Sequence, residues 1–156
     1  MRTNIGIPDK ARKDIAGLLA KLLADEYVLY TKTRNAHWNV TGPDFPAMHS
    51  FFESQYEQIE DSIDEIAERI RALGHQSPGS LTEMVRLTRL KELPGESLRS
   101  GKFAEALLAD HEKMILQLRG DAPKCAKLGD DGTNDFLVGL MEEHEKMAWM
   151  LRATLS

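Results

Sequence analysis

Four long segments of the chain carry apolar residues at intervals of three and four positions, the spacing that puts side chains on one face of an α-helix. They run from Pro8 to about Trp38, from Phe45 to about Leu73, from about Phe103 towards Leu128, and from about Gly132 to the end of the chain. No segment alternates with the period of two that is typical of strands. The 156 residues therefore predict one domain over positions 1–156, with an all-α fold that is a four-helix bundle.

Residues that favour helix ends lie between these segments. The dipeptide at 42–43, Gly-Pro, ends the first helix, Asp44 is a suitable N-cap for the second, and Gly74 is a suitable stop for it. Further along, Gly120 and Pro123 predict a kink or a break in the third helix, because proline removes a helical hydrogen bond.

The connection between the second and third helices carries an element of its own. Pro-Gly pairs at 78–79 and 94–95 bracket the stretch from Leu81 to Lys91, which is too short for a bundle helix. Ser80 and Glu83 have the spacing of a capping box. We therefore expect a short extra helix there.

Two pairs of metal-binding side chains follow one another along the second helix. His49 and Glu53 are four residues apart, as are Asp64 and Glu68, so each pair projects from one helix face. At 100° per residue, Glu53 and Asp64 differ by only about 20° in direction, which places both pairs on one side of the helix. A polar strip flanks any amphipathic helix, so one such pair alone is weak evidence for a metal site.

His37, near the end of the first helix, strengthens the case for metal. With the two pairs it makes a set of two imidazoles and three carboxylates. Nitrogen and oxygen ligands without a thiolate suit iron or manganese, and zinc also accepts them. The ligand types leave the choice of metal open.

Helix geometry separates the two pairs. Glu53 and Asp64 are eleven residues apart on the helix, roughly 16.5 Å along the axis, whereas the ligands of one metal lie within a few ångströms of each other. One chain therefore cannot bring both pairs to one ion. If two copies of the second helix pack antiparallel across a two-fold axis, the His49 end of one faces the Glu68 end of the other, which gives two equivalent sites between subunits.

The rival arrangement is a di-metal site inside one bundle, which ordinarily uses Glu-x-x-His motifs. None of the five histidines has a carboxylate three residues before it. His111 and His144 lie on the apolar faces of their helices, which favours hydrogen-bonded core histidines over ligands.

Several stretches together form a recognisable pattern: His37-Trp-Asn-Val-x-Gly, Phe45, His49, Phe52, Asp64-x-x-Ala-Glu-Arg-Ile, Leu73-Gly74, Pro78-Gly-Ser and Glu143-His-Glu-Lys-Met-Ala-Trp-Met-Leu. Over nearly the whole chain, this pattern resembles the Dps mini-ferritins of the ferritin-like superfamily. The resemblance implies a ferritin-like bundle in a homo-oligomer of twelve subunits that forms a hollow shell. It implies a ferroxidase that oxidises Fe(II) to Fe(III), preferentially with hydrogen peroxide and alternatively with dioxygen, stores the ferric mineral, and protects DNA.

The resemblance also assigns roles to residues. The di-iron ligands would be His37, His49 and Glu53 of one subunit with Asp64 and Glu68 of its neighbour; the family commonly has Asp where this chain has Glu53. Trp38 would quench stray oxidants, or it is a packing aromatic at the helix end. Four acids resemble those that line the family's iron pores, although acids at a helix N-terminus need no pore: Asp121, Asp130, Asp131 and Asp135.

Charge and composition bear on partners and location. With a net charge of −5 the protein repels phosphate as a whole. The basic residues near the N-terminus, Arg2, Lys10, Arg12 and Lys13, alternate with acids, so we expect weak or absent DNA binding. A nucleoid-compacting protein with secondary metal sites is the alternative function, and a plain helical oligomerisation module is a third.

No apolar run approaches the length that spans a bilayer, and the N-terminus lacks the apolar core of a signal peptide, so we expect a cytoplasmic protein. The single cysteine, Cys125, favours a small buried residue over a disulfide or a metal ligand.

Overall fold

A computed structural model of the chain describes residues 3–93 and 98–156. Five helices account for its secondary structure: α1 (Asp9–Asn39), α2 (Phe45–Ala72), α3 (Leu81–Leu87), α4 (Ser100–Lys127) and α5 (Asp131–Ala153). In the described part of the chain, β pairing is limited to one isolated bridge between Thr41 and Arg99. The predicted all-α fold, with a short extra helix between the second and third long helices, is confirmed.

The long helices pack as two hairpins, α1 with α2 and α4 with α5. Their predicted apolar faces meet in a common core, in which the rings of Phe52 on α2 and Phe103 on α4 pack edge to face with centroids 6.3 Å apart. The recurrence at three, four and seven residues explains this burial, because it returns each side chain to the same face. Fully buried examples from each long helix are Ile15, Leu19, Ile59, Ile66, Leu107, Met114, Leu137 and Leu151.

Local signals for helix ends were mostly correct. Ser80 and Glu83 form the predicted capping box at the start of α3. Gly74, at φ +88°, ends α2 as expected. The amide of the next residue, His75, donates a hydrogen bond back to the carbonyl of Ile70. A side chain at Gly74 would also collide with Thr3, so glycine is required there by both conformation and space.

Two expectations about helix ends differ in part from the structure. Asp44 occupies the N-cap position of α2, but its side chain caps no amide there and instead accepts a hydrogen bond from the Ser100 hydroxyl at 2.5 Å. Helix α4 runs without a break through Gly120 and Pro123 to Lys127. Pro123 is exposed and near the helix end, where a carbonyl that loses its partner can bond water instead.

The connection after α3 is anchored to α1 by a buried carboxylate. Asp25 accepts hydrogen bonds from the Arg89 amide at 2.5 Å, the Arg89 Nε at 2.7 Å and the Thr88 hydroxyl at 2.9 Å. This contact explains why α3 stops at Leu87, short of the predicted Lys91. The Pro-Gly pair predicted to close the connection, at 94–95, lies outside the described residues.

Cys125 is fully buried, and burial raises the pKa of its thiol to about 11, so it is the inert core residue that was predicted. Among the described residues, none of the helices has the length and apolar character needed to cross a membrane.

Candidate metal centre

The end of α1 and the start of α2 bring the two predicted histidine ligands together. The imidazole rings of His37 and His49 stack with centroids 3.7 Å apart and planes 21° from parallel. The Nδ1 atom of His37 lies 2.8 Å from the carbonyl oxygen of His49, and the Nδ1 atom of His49 lies 2.8 Å from the carbonyl oxygen of His37. The two residues are therefore locked to each other by a reciprocal pair of hydrogen bonds.

These hydrogen bonds assign the tautomer of both rings. A carbonyl oxygen only accepts, so each Nδ1 carries the proton, and in the neutral imidazole the Nε2 atom then keeps its lone pair. Histidines that bind metals ordinarily donate their second ring N–H to a carbonyl or carboxylate in this way, which fixes the ring and raises its basicity. Both rings can thus bind a metal through their Nε2 atoms.

Glu53, the third predicted ligand, is held beside this pair through Tyr56. Its Oε1 accepts a hydrogen bond from the Tyr56 hydroxyl at 3.3 Å, and the Tyr56 ring packs edge to face on His37 with centroids 5.3 Å apart. Burial first, and then the neighbouring Glu53 carboxylate, raise the pKa of Tyr56, so its hydroxyl remains a donor. Tyr56 therefore connects Glu53 to the histidine pair where the end of α1 meets the first half of α2.

Sequence reasoning missed a cationic side chain that organises the rings around this group. The Arg34 guanidinium lies over the rings of Tyr56, Trp38 and Tyr30, at 4.6, 5.1 and 5.4 Å from their centroids, and donates a hydrogen bond to the Tyr30 hydroxyl. The spacing of Tyr30, Arg34 and Trp38, four residues apart each time on α1, was the available signal. Trp38 itself is 62% exposed, so it is not a packed core aromatic within the subunit.

The other predicted pair lies further along the same continuous helix. Asp64 and Glu68 are both exposed on α2. No hydrogen bond or ion pair engages either carboxylate within the described part of the subunit. Nor do three or more histidine, cysteine or acidic side chains among the described residues converge on a metal position. The two predicted groups of ligands therefore lie apart from each other within one chain.

His111 and His144 are buried in the bundle, as predicted for core histidines. His144 bonds to Glu26 through Nε2 at 2.7 Å, and its Nδ1 lies 2.9 Å from the Nδ1 of His111. All three side chains are fully buried, and burial, followed by the proximity of His144, lowers the pKa of His111 well below its ordinary value.

The four predicted pore acids separate into two groups. Asp130 is buried, caps α5 by accepting from the Thr133 amide, and pairs with Arg69 at 2.7 Å, so its carboxylate is engaged within the chain. Asp121 is also largely buried and pairs with Lys124 at 2.7 Å. The two that remain exposed at the start of α5, one turn apart, are Asp131 and Asp135.

Two of the basic residues near the N-terminus are engaged within the chain. Arg12 is buried, where it bonds to the carbonyl of Leu73 and pairs with Asp9, and Lys10 pairs with Asp14 at 2.8 Å. Arg2 lies outside the described residues.

Comparison with known proteins identifies the family. The sequence pattern of the ferritin-like domain matches residues 16–156. A relative from Bacillus anthracis, DNA protection during starvation protein 2, is 38% identical over 144 residues, which cover 92% of this chain and 98% of the relative. The chain belongs to the Dps family of ferritin-like proteins.

Other members of the Dps family agree in fold and length. The crystal structure of the Dps protein from Vibrio cholerae, described as a ferritin-like diiron-carboxylate protein, superposes with a TM-score of 0.94 at 31% identity, covering 100% of this chain and 98% of that one. A low temperature-induced protein of Nostoc sp., whose function is uncharacterised, is 43% identical over 153 residues, 97% of this chain and 86% of its own. Membership in the Dps family supports iron storage and DNA protection as the family-level role.

Proposed function

We propose that this chain is the subunit of a ferroxidase that binds Fe(II) at sites shared by two subunits, oxidises it, and stores the ferric product inside a shell of twelve copies. The observation that carries the proposal is the reciprocal hydrogen bonding of the stacked His37 and His49 rings, which leaves the Nε2 atom of each ring with its lone pair. This arrangement suits the binding of a cation, because each ring is held by its Nδ1 proton and can bind through Nε2.

The second half of each site would come from a neighbouring subunit. Helix α2 is continuous from Phe45 to Ala72, so the distance between its two ligand pairs is fixed by helical rise. Antiparallel packing of two α2 helices about a two-fold axis would bring the exposed Asp64 and Glu68 of one subunit to the His37, His49 and Glu53 group of the other. Each pair of subunits would then hold two equivalent di-iron sites.

Two ferrous ions in one site match the chemistry of the oxidant. Hydrogen peroxide takes up two electrons and two protons as its O–O bond breaks to give two waters, and two Fe(II) ions supply both electrons as they become Fe(III). This avoids the one-electron step that releases a hydroxyl radical, so storage and protection of DNA follow from one reaction. Dioxygen is the alternative oxidant, and zinc or manganese would compete for the same nitrogen and oxygen ligands.

Asp131 and Asp135 would guide iron towards the interior. Both carboxylates are exposed at the N-terminal end of α5, whereas Asp121 and Asp130 are held by ion pairs within the subunit. Exposed carboxylates attract hydrated Fe(II) without holding it, which suits an entry path.

The proposal is tested by adding Fe(II) without oxygen, then peroxide, while following ferric absorbance and retained iron. The variant in which both His37 and His49 are alanine should lose rapid oxidation. His75→Ala, which changes a histidine outside the centre, is the matched control and should behave as wild type. Equal rates and equal iron retention in the double variant and the wild type would overturn the proposal.

A further inference from the structure

Three ionisable side chains outside the candidate metal centre form a hydrogen-bonded row in the core of the bundle. The Nε2 atom of His144 on α5 lies 2.7 Å from Oε1 of Glu26 on α1, and its Nδ1 atom lies 2.9 Å from Nδ1 of His111 on α4. All three residues have 0% exposure to solvent. The row therefore joins the α4–α5 hairpin to α1 at a place that water does not reach.

The two ends of the row carry unpaired atoms. Within the described part of the chain, Nε2 of His111 and Oε2 of Glu26 are buried and have no hydrogen-bond partner. The hydrogen bond between the two rings is complete while His111 is neutral, because one Nδ1 atom then donates a proton and the other accepts it. A neutral His111 therefore fits the row.

A charged His111 does not fit the row. An imidazolium ring carries a proton on both nitrogens and accepts no hydrogen bond. The Nε2–H group of His111 would then be a buried donor without an acceptor, and if His144 were charged as well, two N–H groups would face each other across 2.9 Å. A buried polar group left unpaired ordinarily shifts an equilibrium by about tenfold or more against the state that contains it.

Charged residues also lie around the row on each packed helix. They are Lys32 on α1, Glu65 on α2, Asp110 on α4 and Glu143 on α5. Lys32 and Asp110 neutralise each other in an ion pair, and Glu143 interacts with His144. Burial and, after it, the proximity of His144 lower the pKa of His111 well below 6.5. At neutral pH the His111 ring is therefore uncharged.

We propose that the row is an acid-sensitive latch, in which protonation of His111 releases His144 and lets α5 separate locally from α4 and α1. In the open state both nitrogens of the His111 ring reach water, so the ring regains its ordinary affinity for protons. Opening then takes up a proton below pH 6.5, the ordinary pKa of histidine. The open fraction should rise about tenfold for each pH unit below that value, until the closed ring also binds a proton.

Hydrogen–deuterium exchange followed by mass spectrometry tests the latch in the assembled, iron-free protein. Exchange is measured from about pH 7 to about pH 5, with the times scaled by the intrinsic exchange rate at each pH. Amides within one turn of His111 and His144 should lose protection by about tenfold per unit below pH 6.5. Amides of α2 should keep their protection, because α2 contributes no side chain to the row. No loss near the two histidines, or an equal loss in all helices, would overturn the proposal.

The variant His111→Asn tests the role of the ring. Its amide can still hydrogen-bond to Nδ1 of His144 but does not take up a proton in this pH range, so its loss of protection should be smaller by about tenfold per unit. His75→Asn, which changes a histidine outside the row, should keep the wild-type profile. A wild-type pH dependence in His111→Asn would overturn the latch. If that variant does not assemble, the regional profile of the wild type still decides.

Discussion

The imidazole rings of His37 and His49 lie 3.7 Å apart, and each donates a hydrogen bond to the main-chain carbonyl of the other residue. Because both acceptors are backbone atoms, each ring keeps its acceptor when the other ring is removed. The two histidines are therefore separable by mutation, although they are locked together in the wild type.

Single substitutions should accordingly weaken iron binding in steps. His37→Ala and His49→Ala should each lower Fe(II) affinity by more than about tenfold, the loss that follows removal of even an outer partner of a metal ligand, and the double variant should bind least. Anaerobic Fe(II) titration followed by calorimetry measures this. Wild-type affinity in either single variant would show that the ring concerned is not a ligand.

Acid should destabilise the protein through His111. Burial holds the pKa of His111 well below 6.5, its value in the unfolded chain. As the pH falls below 6.5, His111 therefore binds a proton in the unfolded state while it stays neutral in the folded state. The stability contributed by neutral His111 is complete above pH 6.5 and is lost as the pH falls towards the folded pKa.

The thermal midpoint should therefore fall more steeply in wild type than in His111→Gln between about pH 7 and about pH 5. The slope with pH is the readout, because the substitution also changes the midpoint itself. His75→Gln should keep the wild-type slope. Parallel slopes for wild type and His111→Gln would contradict the argument.

Asp25 should be among the most sensitive positions for stability. Asp25→Ala leaves the Arg89 side chain and amide without their buried acceptor, which should cost about 3 kcal/mol or more of the free energy of unfolding. Asp14→Asn, which breaks the exposed pair with Lys10, should change it by less than about 1 kcal/mol. Chemical unfolding at one protein concentration measures the free energy of unfolding of both variants. Equal losses would show that burial does not make the Asp25 contacts more stabilising than the exposed pair of Asp14.

DNA binding by the purified protein should be weak at physiological salt. Arg12 is buried, Lys10 is paired with Asp14, and the chain carries a net charge of −5, all of which disfavour binding to phosphates. A gel shift over a salt series should show at most binding at low salt that disappears as salt is raised. A shift that persists at physiological salt would favour the nucleoid-compacting alternative.

The features that were predicted best from the sequence are patterns within a single helix. The four apolar faces, the capping box of Ser80 and Glu83, and the stop at Gly74 depend on neighbours a few residues away. The burial of His111 and His144 followed from their position on apolar faces in the same way. Spacing along α2 also sufficed to show that Glu53 and Asp64 could not serve one ion within a single chain.

What the sequence could not supply depends on contacts between distant segments. The ion pair of Asp130 with Arg69, 61 residues earlier, was not predicted, because it depends on how α2 packs near the start of α5. The role of Arg34 was not predicted, because it depends on a contact with Tyr56 on another helix. The reciprocal bonds of His37 and His49 depend on the path of the backbone between α1 and α2, which residue spacing does not encode.

Subunit complementation tests the central claim, that each site is shared between two subunits. Subunits with His37 and His49 changed to alanine are mixed with subunits in which Asp64 and Glu68 are changed to Asn and Gln, and the mixed assemblies are assayed for peroxide-driven iron oxidation. Shared sites predict that each mixed pair regains one complete site, about a quarter of wild-type sites after random pairing. Activity no higher than that of either variant alone would contradict the account.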